Sequence, residues 1–235
     1  MAGAKGDESY SIHTGIQKLL EKVVGDIRSF TERQISQVNE LVKIGVALSA
    51  EKDLDRLLEM IIRQARRITS ADGATLYIRN ERVDALEFAI VCNGSLGINM
   101  GGSGSRITWP PVPLTLPDST ENHRNVSAHC ALVGDVVNIP DVYQAEGFDF
   151  EGTREFDRRT GYRSRSMLLV PMWNHEDEVI GVLQLLNAQD PKTGHVIEFP
   201  ADLVEIVDRL ASQAAIGLKK MRLVRDLERL FNSFI

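Results

Sequence analysis

Two apolar runs separated by only six residues limit most strongly what this chain can become. They are Ser166–Met172 (SMLLVPM) and Val179–Asn187 (VIGVLQLLN). Both are strand-length and rich in Leu, Val and Ile, and the connection Trp173-Asn174-His175-Glu176-Asp177-Glu178 is polar. The pair reads as a β-hairpin, which commits the chain to antiparallel pairing. Earlier strand-like runs, Ala74–Ile78 and Ala85–Cys92, are joined by the charged segment Arg79–Asp84, and Val136–Ile139 is a short strand ended by Pro140-Asp141. Helical patterns stand before and after the strands. Asp53 is placed to cap a helix whose Leu54, Leu57, Leu58, Ile61, Ile62, Ala65 and Ile68 share one face, and a last helix follows Pro200. The order predicts an α+β fold, an antiparallel sheet with helices on one face.

Between these elements lie two stretches of different texture. Asn93–Asn125 carries five glycines and the run Trp109-Pro110-Pro111-Val112-Pro113, so it forms no regular central element. Its Ile107, Trp109, Val112, Leu114 and Leu116 suit a loop that packs as a lid over a pocket. A short helix, Asn125 to Val133, follows it. Val142–Gly161, with Tyr143, Phe148, Phe150 and Phe156, reads as loop with short helical turns.

The first fifty residues read as a helical arm. Alternating steps of four and three connect Ile16, Leu20, Val23, Ile27, Phe30, Gln34, Gln37, Leu41, Ile44 and Leu48, a period of 3.5 that predicts a coiled-coil seam between chains. The alternative is a helix packed on its own domain. In the last helix Leu203, Val207, Leu210, Ala214, Gly217, Met221 and Val224 form one such series, and Leu223, Leu227, Leu230 and Phe234 take over in another phase. The expected organisation is an arm at 1–50, a domain at 51–220 and a signalling helix at 221–235, with a homodimer formed through the terminal helices.

A formal net charge of −6 argues against a nucleic-acid surface, and no run approaches the roughly 20 uncharged apolar residues of a membrane span. The amino terminus lacks the apolar core of a secretory signal. Two cysteines, Cys92 and Cys130, without metal-ligand spacing suit a reducing cytoplasm. The expected location is therefore cytoplasmic.

The block Phe156–Met172 (FDRRTGYRSRSMLLVPM), continued by Val179–Asn187, resembles the GAF domain family. The strand pattern S-x-L-x-V-P turning into V-I-G-V-L-Q-L-x-N is similar in particular to the GAF domains of cyclic-nucleotide phosphodiesterases and their bacterial relatives. The final segment Asp226–Ile235 resembles the helix entering the catalytic domain of bacterial GAF–HD phosphohydrolases, the HD-GYP type included, which often act on cyclic di-GMP. The chain contains no His-Asp dipeptide and no GYP tripeptide; Gly161-Tyr162 is followed by Arg163. The resemblance thus implies a non-catalytic, small-molecule-sensing module whose output domain, a metal-dependent phosphohydrolase, belongs to a longer parent protein. A structural dimerisation domain without a ligand is the alternative.

In GAF domains a small molecule lies between the sheet and a cap, which maps here to Ile107–Val133 and Val142–Tyr162. Ligand contacts are expected among Ser127, Asn138, Asp141, Phe148, Phe156, Asp157, Thr160, Arg163 and Ser166: rings to stack on, amides and carboxylates to read edges, and Arg163 for an anion. Members that bind cyclic nucleotides carry an Asn-Lys, Phe, Asp-Glu pattern. Asn187, Phe199, Asp202 and Glu205 offer parts of it, but Ala188 stands in place of the lysine and removes the motif's cation. Bilin attachment is disfavoured because His129 precedes Cys130 rather than following it. A haem or zinc site is disfavoured because His123 and His129 have no third ligand at suitable spacing. Two cysteines are too few for methionine sulfoxide reduction, and Gly101-Gly102-Ser103-Gly104 lacks the lysine of a P-loop.

Overall fold

The structure, a computed structural model, describes residues 20, 22–28, 31, 32, 35, 39 and 41–233. The seam positions Ile16, Phe30, Gln34 and Gln37, and Phe234 near the end, lie outside the described residues. The chain divides into two units, residues 1–43 and 44–235. In the first, the described residues are helical, with Leu20, Val23, Val24 and Ile27 exposed and Arg28 paired with Glu32 at 3.1 Å.

The second unit opens with helical residues 44–50 and continues with α1 (Leu54–Thr69), β1 (Ala71–Asn80), β2 (Ala85–Asn93), β3 (Ile98–Gly101) and β4 (Val112–Pro113). Then come α2 (Val126–Val133), β5 (Val137–Ile139), α3 (Glu151–Thr160), β6 (Met167–Trp173), β7 (Val179–Gln189), β8 (Val196–Ile197) and α4 (Ala201–Ser233). Among the described residues eight strands form one antiparallel sheet in the order β3-β2-β1-β7-β6-β5, with β4 on β2 and β8 on β7. The β6–β7 hairpin lies at its heart, Leu168 opposite Leu185 and Val170 opposite Leu183. Pro171 falls beyond the reach of β5, which pairs only with Met167–Leu169, so the missing amide costs the sheet little there.

Strand alternation divides the core. Leu76, Ile90, Leu168, Val170, Leu183 and Leu185 turn to one face, where Leu57 and Ile61 of α1 and Val207, Leu210 and Ala214 of α4 cover them. Tyr77, Leu86, Met167, Leu169 and Val182 turn to the other, against Val126, Ala128 and Cys130 of α2 and the loop residues Leu114, Val142 and Phe150. Both long helices thus share one face, and short α2 packs on the opposite one.

Helix ends are set locally. The Asp53 carboxylate accepts from the Arg56 amide at 2.9 Å, and Ser70, in the left-handed region at φ 52°, turns the chain straight into β1. β1 therefore begins at Ala71, three residues before the strand-like run that the sequence shows. Gly134 ends α2 at φ 77°, and a Cβ there would fall within the Trp173 ring, so only glycine fits. Where the sequence suggests turns, α3 is a ten-residue helix. Arg158 bridges Glu151 and Glu155 on its outer side, and Asp157 anchors its inner side.

Ile44 and Leu48 of the predicted seam are buried in the core against α1 and α4. The first series of the last helix is used the same way: Val207, Leu210, Ala214 and Gly217 pack inward. Leu223, Leu227, Leu230 and Phe231 are exposed. The change of phase at Met221 is where α4 leaves the body of the domain.

Candidate functional site

On the sheet face away from α1 and α4, two adjoining hollows of about 600 and 450 Å³ open beneath α3. They share Tyr77, Phe88, Gly152, Thr153 and Gln184. Their sizes lie in the range of small-molecule sites.

The floor belongs to β1 and β7. Tyr77 Oη donates to Gln184 Oε1 at 2.9 Å, and Ser127 Oγ lies 3.4 Å from the same oxygen. Burial pushes the Tyr77 hydroxyl up to about 12, so it stays a neutral donor. With the oxygen engaged, the amide nitrogen of Gln184 donates to no partner among the described residues and is left for the hollows.

The larger hollow is aromatic. Tyr77 and Phe88 have centroids 4.8 Å apart, Trp109 stands edge-on to Phe88 at 5.3 Å, and Phe156 meets Trp109 at 6.2 Å. Trp109 remains 37% exposed and forms the outer rim of the group. Thr75, Val91, Cys92 and Leu186 form the wall. The smaller hollow is the more polar of the two, with Asn122, Arg124, Asn125 and Ser127 and with Asp149 and Glu151 set among Val112, Leu116, Phe150 and Met167. Asn122 Nδ2 donates to the Pro113 carbonyl at 2.8 Å, and Asn125 caps α2 by accepting from the amides of Ser127 and Ala128. Arg124 faces Asp149 at 3.5 Å, and Glu151 is held by Arg158. The first turn of α3 lies over both hollows. Its amides at Gly152 and Thr153 have no intrahelical acceptor and carry the positive end of the helix dipole.

The residues expected from the sequence divide by location. Ser127, Phe156 and Thr160 line the hollows. The other six lie outside them. Asn138 donates to the Phe199 carbonyl at 2.9 Å and ties β5 to the loop before α4. Asp141 accepts from the Tyr143 amide at 2.9 Å and has Arg163 at 3.6 Å. Phe148 packs between His129 and Phe150. Asp157, buried, accepts from Ser164 N at 2.8 Å, Ser164 Oγ at 2.9 Å and Tyr143 Oη at 3.0 Å. Arg163 stacks on Tyr143, 3.5 Å from its centroid. Ser166, fully buried, accepts from the Ala188 amide at 3.1 Å. These groups tie α3, β5 and β6 to their neighbours and line neither hollow.

Sequence reasoning missed Tyr77, Phe88, Gln184, Asn122 and Arg124. Gln184 had a signal, being the one polar residue inside the apolar run Val179–Leu186. The pattern residues Asn187 and Phe199 are structural too. Asn187 accepts from Arg165 N at 2.7 Å and donates to the Arg163 carbonyl at 2.8 Å, while Ala188 and Phe199 are buried in the core. Among the described residues no group of three or more His, Cys, Asp or Glu could hold a metal ion. No helix among them is long and apolar enough to cross a membrane.

The molecule is thus an antiparallel sheet with paired helices on one face and a capped chamber on the other. The chain belongs to the GAF domain family, whose model matches residues 53–218. A cGMP-specific 3′,5′-cyclic phosphodiesterase of Drosophila sechellia is 31% identical over 178 residues, which cover 74% of this chain and 13% of that protein. The chain thus spans a small fraction of that relative. Among solved structures, the GAF domain of a phosphoenolpyruvate-protein phosphotransferase from Coxiella burnetii superposes with a TM-score of 0.59 at 12% identity, covering 82% of this chain and 98% of that one. A GAF domain/HD domain protein from Geobacter sulfurreducens gives 0.50 at 17% identity, covering 75% and 98%. At these identities the superpositions speak for the fold alone.

Proposed function

We propose that this chain senses a small molecule in the paired hollows and relays its presence through paired terminal helices to an output domain. The capped chamber, aromatic on one side and rich in hydrogen-bonding groups on the other, carries this reading. It suits a planar molecule of mononucleotide size with a polar edge. Phe88, Trp109 and Phe156 supply ring faces, and Gln184, the α3 amides and the Asn122–Ser127 segment supply polar contacts. The output domain fits a metal-dependent phosphohydrolase of the HD or HD-GYP class. The support is the C-terminal helix pattern, with phosphodiesterases among the relatives.

Relay requires pairing, and the surface of α4 supports a homodimer. Ile216, Leu223, Leu227 and Leu230 recur at heptad-compatible spacing and are 47–60% exposed, with Val46 of the preceding helical segment 65% exposed. Lys220 Nζ donates to the Ser49 carbonyl at 2.7 Å, which fastens that segment to α4. A ligand changes the output only by favouring one helix arrangement over another.

The test is thermal unfolding against cyclic mono- and dinucleotides, other nucleotides and nucleosides. Light scattering and oxidative crosslinking of a Leu227→Cys variant accompany it. A compound at a hundred times its Kd adds about 2.7 kcal/mol, or a rise of about 5–11 °C for a domain of this size. Crosslinking efficiency should change with the same compound. A chain that stays monomeric refutes the relay. A dimer that responds to no compound in the panel favours a purely structural dimerisation domain.

A further inference from the structure

His123 and His129 place their Nδ1 atoms 3.1 Å apart, with ring centroids 5.1 Å apart, so the two nitrogens face each other across one hydrogen bond. On its far side His123 Nε2 meets Glu121 Oε2 at 2.9 Å. The carboxylate only accepts, so neutral His123 carries its proton on Nε2 and its Nδ1 is the acceptor. His129 then donates from Nδ1. The result is a directed chain, His129 to His123 to Glu121. It spans the residues that wall the polar hollow, because Asn122, Arg124, Asn125, Val126 and Ser127 all lie between its ends.

We propose that the His123–His129 pair is a proton-responsive clasp on this wall, closed when at most one of the rings is charged and opened when both are. One extra proton can rest on the outer nitrogen of His129 or be shared between the rings, and the inner bond survives. A second proton puts N–H groups on both facing nitrogens, so the bond is lost and two cations meet at contact distance. The groups that face the pair are Glu121 beside His123, Asp135 acting on His129, and the Phe148 ring 5.1 Å from His129. Burial, then the charge of His123, holds His129 below its ordinary value, with Asp135 opposing. The sign follows. The open form binds more protons than the closed one, so opening is favoured as pH falls below the ordinary histidine range, by up to about tenfold per pH unit for each extra proton. The clasp stands independently of the sensor reading; only its effect on a bound molecule rests on that reading.

Hydrogen exchange of the 121–133 segment in the ligand-free chain, corrected for intrinsic rates, tests this between about pH 7 and pH 5. Opening should rise steeply on acidification in the wild type and stay flat in His123→Gln, whose amide can accept from His129 and donate to Glu121 without titrating. A flat wild-type profile, or an equal slope in His123→Gln, overturns the proposal. Should that variant misfold, NMR titration of the wild-type rings decides: two coupled steps support the clasp, and two independent ordinary titrations refute it.

Discussion

Removing the carboxylate of Asp157 should loosen the cap although Asp157 lines neither hollow. Asp157 is 3% exposed and Ser164 1%. Two of its three hydrogen bonds, from Ser164 N and Oγ, come from a residue that is itself buried; the third comes from Tyr143, which is half-buried. In Asp157→Ala both Ser164 donors lose their acceptor while buried, and each such loss costs about 1–3 kcal/mol. Tyr143 can turn to solvent. A net loss of about 3 kcal/mol follows, equivalent to a Tm lower by about 6–12 °C in a domain of this size. Asp157→Asn keeps one acceptor oxygen and should lose less. Urea unfolding followed by far-UV circular dichroism and tryptophan fluorescence measures both. Glu155→Gln, which alters only an exposed ion pair with Arg158, serves as control and should change stability by less than about 0.5 kcal/mol. A double-mutant cycle with Ser164→Ala should show coupling of about 1 kcal/mol or more. Asp157→Ala within about 0.5 kcal/mol of the wild type would refute the reasoning.

Gly134→Ala should destabilise by about 1–3 kcal/mol, because its Cβ meets the Trp173 ring and its φ is 77°; in a Trp173→Ala background the cost should shrink, and an unchanged cost would show that the ring is not the obstacle. The Cys130 thiol, fully buried and pushed up to about 12 by burial, should resist a thiol reagent at pH 8 and react only as fast as the chain unfolds. Fast labelling of Cys130 in the Cys92→Ser variant would contradict the packing of α2.

The hairpin, the capped first helix, the short helix after Asn125 and the long last helix were legible because their signals are local. Apolar spacing, an Asp or Asn before a helix, and Gly or Pro after an element depend on neighbours a few residues away. The site was legible only in outline. The cap segments and Phe156 followed from the GAF resemblance, yet Asp157 and Arg163, polar and close by, turned out to fasten the cap. A buried carboxylate and a stacked guanidinium are chemically as suited to a ligand as to a neighbouring serine or tyrosine. Composition cannot tell the two uses apart.

Sequence alone determined the antiparallel hairpin and the apolar faces of the helices, because a strand or helix periodicity is written within a dozen residues; the family came from the resemblance of the Phe156–Met172 and Val179–Asn187 blocks. Which apolar face meets the domain and which stays bare was decided by packing: Leu48 and Leu210 went inward while Leu227, in the shifted series, did not. The floor of the site was decided at longer range still. Tyr77 and Gln184 are 107 residues apart in the chain and bond at 2.9 Å only because β1 lies beside β7 in the sheet. A polar side chain's role depends on which partner the fold brings within reach, and that is a property of the tertiary structure.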